Sequence, residues 1–337
     1  MQPLPVRFRP LPFLLASLAL ASCATAPRGP AGRLADAGMQ ATASFSSDTT
    51  ALAARVANGG VAGAFVERLD LCESQPMMCD KTPEQLAELG LSPAADSNAA
   101  LRQELAKTIE LRATALTALG QAYAALKQEA EYDARADMQG AVDEAVAGTN
   151  SFAAAAFNLA KAPIPIDIGR LAGVAGGLIA DRRQKGRILA ANAKLREITQ
   201  RLHDAMAVEA RIFELVASPI AINRNRVTLY FYDQGMLDGG QLIQPVLDAL
   251  EVPPPPGIAA RVASNPALKA AVREALRATQ EMETVRTRAR YRASLAALQA
   301  LVVEHDKLAR QEAVSLGEVA RLLGEVNAQL DPPEQDK

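Results

Sequence analysis

The amino-acid sequence predicts an all-α protein, an elongated bundle of long antiparallel helices with short accessory helices. Alanine, leucine, glutamate, arginine and glutamine dominate, whereas aromatic residues make up 4% and tryptophan is absent, a composition that favours helix at most positions. Apolar residues recur at three- and four-residue steps rather than alternately, the spacing of one buried helix face. One stretch, Val227–Tyr232, has the β-branched and aromatic texture of a strand. With no second convincing strand to satisfy its backbone, it is read as helix.

Arg7 and Arg9 precede the apolar stretch Leu11–Leu20, which is too short to cross a bilayer, where about 20 apolar residues are needed. Small residues follow, as in an export signal. Leu20-Ala21-Ser22-Cys23 resembles the lipobox of bacterial lipoproteins. The resemblance covers residues 1–23 alone. It implies that residues 1–22 are a signal peptide cut before Cys23, and that the Cys23 sulfur is diacylated. Ala24 in place of an aspartate implies sorting to the outer membrane, lipid-anchored and facing the periplasm. Two or three acyl chains make such an anchor stable. The alternative is an ordinary secretory signal cut near Ala24-Thr25-Ala26, leaving a soluble periplasmic protein.

Residues 23–32, with their Pro and Gly, read as a lipidated tether, and 33–337 as a single helical domain. A first helix is expected from Leu34 to Asn58, stopped by Gly59-Gly60, with a shorter one following through Phe65 and Leu69. Cys72 and Cys79 then lie close in sequence and in an oxidising compartment, so a disulfide closing a short loop is expected. Zinc would need two further ligands, and the only histidines, His203 and His305, are far along the chain. Thr82-Pro83-Glu84 looks like a capped start of a short helix ending near Gly90.

From about Ser97 the seam Leu101, Leu105, Ile109, Leu116, Leu119, Tyr123 and Leu126 marks a long helix. No proline stands between Pro93 and Pro163, so it is expected to run as far as Ala160, weakest near Gly140 or Gly148. A second long helix reads from Ile166 to Ala217, burying Ile188, Leu195, Ile198, Leu202, Ile212 and Leu215, with Pro219 ending or kinking it. Pro253–Pro256 is a stiff extended connector. A third helix reads from Asn265 to Leu330, capped by Ser264-Asn265-Pro266 and carrying Leu268, Val272, Met282, Val285, Leu295, Leu298, Val302 and Leu308. No convincing repeat of about 20–50 residues is present, which disfavours a solenoid.

The most distinctive local pattern is Gly169, Gly173 and Gly177, three side-chain-free positions on one helix face that let another helix, or a membrane, come close. They lie in a low-charge stretch, about 145–180, where Pro163 and Pro165 mark a hairpin. That hairpin is either a small-residue contact between soluble helices or a bilayer-inserting tip, an arrangement like helical pore-forming toxins in architecture only. Lys161, Asp167 and Arg170 interrupt it, and the clean run Leu171–Ala180 is half a span.

Arg224, Arg226, Tyr230, Phe231 and Tyr232 form a candidate partner surface, because arginine and aromatic side chains anchor contacts well; core packing is the competing account. Arg286, Arg288, Arg290 and Arg292 fan around a helix as a solvated face, or contact anionic lipid or a partner. His305-Asp306 and His203-Asp204 are poorly placed as base and orienting carboxylate, since adjacent helix positions do not face one another.

The net charge of −2 gives no basic excess for nucleic acid. No nucleophile elbow, metalloprotease helix, phosphate-binding loop or dinucleotide fingerprint occurs. No catalytic residue, cofactor or metal site is therefore assigned. The expectation is a non-catalytic, periplasm-facing outer-membrane lipoprotein that serves as helical scaffold, spacer or partner-binding element of an envelope assembly. Its partners would be the membrane, through the lipid, and an envelope protein. Whether the long helices fold back within one chain or pair between chains, as in a homo-oligomer, is left open. The alternatives are a membrane-active protein inserting 145–180 and an envelope hydrolase.

Overall fold

The computed structural model describes residues 27–47, 49–90, 97–132, 135–161 and 184–330, and every regular element among them is helical. Cys23 and Gly169, Gly173 and Gly177 lie outside these residues. In chain order the helices are α1 (Arg28–Ser46), α2 (Thr49–Ser74), α3 (Pro83–Glu88), α4 (Ser97–Tyr132), α5 (Arg135–Leu159), α6 (Gln184–Asp233), α7 (Gly239–Ala249), α8 (Ile258–Ser264), α9 (Pro266–Ala309) and α10 (Gly317–Leu330). At 1.5 Å per residue α6 is about 75 Å long, and it is the spine of the molecule.

Side-chain pairs along α6 fix the direction of its neighbours. Glu129, Tyr123 and Arg112 of α4 meet Arg187, Thr199 and Glu209 of α6 in turn, so α4 is antiparallel to it. His305, Tyr291 and Glu283 of α9 meet Asn192, Glu209 and Arg224, so α9 is antiparallel too. Gly59 and Asp70 of α2 meet Ile220 and Arg226, so α2 runs parallel to α6. The helices therefore pair within one chain. We call the end that holds Arg28, Tyr132 and Gln184 proximal and the end that holds Ser74, Asp233 and Pro266 distal.

The proximal half is a many-layered bundle of α1, α4, α5, α6, α9 and α10. Its core joins Leu34, Leu119, Leu126, Phe152, Leu195 and Leu298, all essentially solvent-free. A second cluster where α2 meets α4, α6 and α9 contains Val56, Ile109, Phe213 and Ile220. At the distal tip only Tyr232, Val262 and Val272 are buried together, under the small helices α7 and α8.

Several expected boundaries move. The first helix begins at Arg28, inside the expected tether, with Ala31 fully buried. Pro30 sits in the first turn, where the missing N–H has no intrahelical acceptor to lose. The expected helix 34–58 is two helices: α1 ends at Ser46 and α2 continues through Gly59-Gly60 to Ser74. Those glycines are not a stop because they serve packing. A Cβ on Gly59 would lie 2.7 Å from Ile220 Cγ1, and one on Gly63 3.1 Å from the Arg102 guanidinium.

The helix expected from Ser97 to Ala160 is also two: α4 extends to Tyr132, α5 starts at Arg135 and runs on through both glycines, and α5 folds back on α4. Gly148 instead brings the pair together, since a Cβ there would come within 3.2 Å of the Ala115 Cα. Pro219 does not end α6, which continues through Val227–Tyr232 as helix. Proline removes the bond to the carbonyl four residues back, and that residue, Leu215, is 70% exposed, so water can take the freed group.

The third helix stops at Ala309, and α10 is separate. The stop is a Schellman turn: the Gln311 N–H bonds the Leu308 carbonyl and the Glu312 N–H the Lys307 carbonyl, with Gln311 at φ 59°. The Ser315 N–H then donates to the buried Glu304 carboxylate at 2.8 Å, which holds the connection down. Finally, Leu215, Met282 and Val285, expected inside, are exposed, because no further helix layer covers that stretch of α6 and α9 among the described residues.

Candidate functional site

The distal end is built by sequence-local features that point side chains outward. Thr82 accepts from the Gln85 N–H while the Gln85 side chain accepts from the Thr82 N–H, a reciprocal cap that starts α3. The Arg68 guanidinium donates to the carbonyls of Cys79 and Lys81. Together they fold the loop after α2 back against that helix. Cys72 in the last turn of α2 and Cys79 in the loop are unbonded but adjacent: a hydrogen bond from Cys72, burial and the neighbouring thiol's charge push the Cys79 thiol above its ordinary value. Met77 at the loop's apex is 80% exposed.

Beside this loop, Phe65 of α2 stacks on the end of α6, with ring centroids 5.7 Å from Tyr230 and 5.4 Å from Phe231. All three are half-buried. Arg226 forms a two-pronged ion pair with Asp70, and Arg224 one with Glu283 at 3.1 Å. Of the five residues expected to form a partner surface, Arg226, Tyr230 and Phe231 lie on the side of α6 that meets α2, and Arg224 turns toward α9. Tyr232 is not with them: it is 7% exposed and packs inward on Val262 and Val272.

Exposure of large apolar side chains divides the molecule sharply. Among the described residues thirteen are exposed: eleven lie in the distal half, from Val61, Met77 and Leu89 through Leu215 and Met236 to Val285, and two, Tyr132 and Val303, in the proximal half. Scattered exposed apolar residues are ordinary on a protein surface, but here they are concentrated at one end.

Sequence reasoning missed the buried polar clusters of the other half. Arg112 pairs with Glu209, whose carboxylate also accepts from the Tyr291 hydroxyl, while the guanidinium lies 5.3 Å from the Tyr291 ring centre. Burial pushes the Glu209 carboxyl above the usual carboxylate range, and Arg112 and Tyr291 pull it back. Tyr123 bonds Thr199 at 2.9 Å and His305 Nε2 at 2.8 Å, and His305 Nδ1 bonds Asn192 at 2.8 Å. Burial forces the imidazole down to about 3, with Arg196 adding to this and Asp306 opposing it. Both ring nitrogens are therefore committed inside the protein, and His305 acts as a neutral cross-brace between α4, α6 and α9. Arg187 and Glu129 form a third buried pair at 2.8 Å.

His203 lies partly exposed and, contrary to the expectation that adjacent helix positions do not meet, its Nδ1 is in hydrogen-bond contact with the Asp204 carboxylate at 2.9 Å. The arginine fan divides as its spacing requires, Arg286 and Arg292 exposed, Arg288 half-buried and paired with Glu214, Arg290 half-buried. No cluster of three or more metal-ligating side chains occurs among the described residues, and no described helix is long and apolar enough to cross a membrane. Comparison with known protein families, with characterised proteins and with solved structures gives no match.

Proposed function

We propose that this protein is a lipid-anchored helical spacer of the bacterial envelope that holds a partner-binding surface away from the membrane. The single observation that carries the reading is the gathering of exposed apolar side chains at the end of the molecule opposite Arg28. In this reading Cys23, five residues before Arg28, carries the lipid and lies on the outer membrane. The bundle then sets Phe65, Tyr230 and Phe231 about 70 Å along α6 from Gln184 at the proximal end. The mechanism is physical: a dense proximal bundle supplies rigidity, and the distal face supplies aromatic and arginine anchors of the kind that dominate protein contacts.

The low-charge stretch weighs toward this reading and away from membrane insertion. Its described half is core, with Ala145, Phe152, Ala153 and Ala156 fully buried, so its low charge has a packing explanation. A disulfide between Cys72 and Cys79 in the periplasm fits the adjacency of the two thiols and would lock the distal loop.

The test is photo-crosslinking in living cells from probes at Tyr230 and Met236, with Tyr132 as the proximal control and Cys23→Ala as the anchor control. The expected result is one protein adduct from the distal probes only, and loss of membrane fractionation in Cys23→Ala. Adducts at Tyr132 alone, or none at any probe, would overturn the partner surface. Unchanged fractionation of Cys23→Ala would overturn the anchor.

A further inference from the structure

The run Pro253–Pro256, a stiff connector by its sequence, joins α7 to α8 at the distal tip and belongs to neither helix. Proline locks its own φ at about −65° and drives the residue before it to extended backbone. Val252, Pro253, Pro254 and Pro255 each precede a proline, so the sequence dictates about one full turn of left-handed polyproline helix. Both ends of that turn are clamped. At its start the Val252 N–H bonds the Leu247 carbonyl at 3.0 Å and the Glu251 N–H the Asp248 carbonyl at 3.1 Å, with Glu251 at φ 55°, a Schellman turn that closes α7. At its end the Ile258 N–H bonds the Pro255 carbonyl at 3.2 Å across Pro256-Gly257, and Gly257 at φ 73° fills the left-handed position of a type II turn.

The segment faces water. Pro253, Pro254 and Pro256 are exposed and Pro255 is half-buried, and the exposed Leu250 and Val252 extend its apolar edge. Proline has no N–H, so this stretch cannot extend a partner's sheet as a strand or join a helix. What it offers is rings and carbonyls, and among the described residues no backbone amide donates to the carbonyls of Val252, Pro253 and Pro254.

We propose that this segment docks into an aromatic-lined groove of a second envelope protein, whose rings take Pro253 and Pro254 and whose side-chain N–H and O–H groups donate to the carbonyls between them. The inference rests on the spacer reading and gives the chemistry of its partner. A polar groove would leave the proline rings in water. A groove shaped for an amphipathic helix would find no helical face here. The two clamps favour docking, because a segment already held extended loses little conformational freedom when it binds.

The experiment places a photo-crosslinking amino acid at Leu250, outside the proline run, in the whole chain. Detergent-solubilised envelopes are irradiated with and without a synthetic peptide of residues 250–257. The expected result is one protein adduct, mapped by mass spectrometry to a surface of clustered Trp, Tyr or Phe and suppressed by the peptide. The same peptide carrying Pro253→Ala and Pro254→Ala should compete about tenfold less well, having lost both rings and the extended conformation they impose. Those substitutions in the whole chain should remove the adduct without moving the urea midpoint, since both rings are exposed. An adduct from Tyr230 with none from Leu250, equal competition by the two peptides, or mapping to a surface without aromatic residues would overturn the docking segment and leave the spacer reading standing. No adduct from either position would overturn both.

Discussion

The two ends of α6 are held in opposite ways. Near Gln184 and Asn192 the helix is surrounded by α4, α5 and α9, and its polar residues are sealed into pairs and networks: Arg187 with Glu129, Asn192 with His305, Thr199 with Tyr123. Past Ile220 it has α2 on one side and α9 on the other, and its charged residues lie on the surface, Arg224 with Glu283, Arg226 with Asp70, Asp233 with Arg273, each side chain roughly half exposed. Buried pairs are costly to break, whereas exposed ones contribute little. The proximal half therefore fixes the fold, and the distal half can change its surface at small cost.

Breaking a buried pair should produce the largest effect. Glu209→Ala leaves the Arg112 guanidinium 6% exposed with no carboxylate, and a loss of about 3–5 kcal/mol is expected, read from urea unfolding midpoints. Glu209→Leu with Arg112→Leu should recover much of that loss, since it removes both charges together. If Glu209→Ala costs no more than the distal substitutions below, the division between the halves is wrong.

The His305 brace predicts a pH dependence of definite sign. Its folded value, about 3, lies below the ordinary 6.5, so between those values the unfolded chain takes up a proton that the folded chain refuses. Stability is complete above about pH 6.5, falls as the pH drops through the window, and levels only below pH 3. The change should amount to a few kcal/mol. It is best read between pH 7 and 5, above most carboxylate titration, by comparing the parent with His305→Asn, which should be flatter there although less stable at pH 7. Parallel pH profiles would remove His305 from the argument.

Two glycine substitutions compare the halves directly. A Cβ on Gly38 would lie 2.4 Å from the Tyr123 ring, and that ring is held by Thr199 and His305 and cannot retreat. Gly38→Ala should therefore cost about 1–3 kcal/mol. A Cβ on Gly59 would meet Ile220 Cγ1 at 2.7 Å, but Ile220 borders the surface groove along α2 lined by Arg55, Asn58 and Ala62, so its side chain has room to turn that the Tyr123 ring lacks. Alanine also gains about 1 kcal/mol of helix propensity over glycine, so Gly59→Ala should change the thermal midpoint little. Equal losses at the two positions would mean that the distal helices are packed as tightly as the proximal ones.

These pairs also show what the sequence carried and what it hid. Helix, caps and short turns are local, so the reciprocal cap at Thr82 and the start at Asn265, whose side chain accepts from the Ala267 N–H at 2.9 Å, were legible. Glycine is ambiguous locally, because a free Cβ position serves a helix stop and a close crossing equally, and only the partner helix decides. The converse error came at Gln311, which ends α9 with φ of 59° without the glycine that usually marks such turns. The buried clusters join residues far apart in the chain, Arg112 to Glu209 across 97 positions and Asn192 to His305 across 113. No local spacing could reveal them. For the distal surface, residue types around Tyr230 placed Tyr232 with its neighbours, although a turn of helix carries it inward.

The smallest effect expected is at the distal ion pair, and it is the one that bears on function. Arg226 and Asp70 are each 48% exposed, so removing either should cost under about 1 kcal/mol, with a coupling of about 0.2–1 kcal/mol in a double-mutant cycle. Such a pair contributes little to holding α2 against α6, yet it sits beside Phe65, Tyr230 and Phe231 and fixes where a guanidinium meets them. If the surface binds a partner, Arg226→Ala should lower crosslinking from Tyr230 severalfold while the urea midpoint scarcely moves. A large stability loss with proportionate loss of crosslinking would show instead that the distal face is held by its charges, and that its aromatic cluster is a structural joint between two helices.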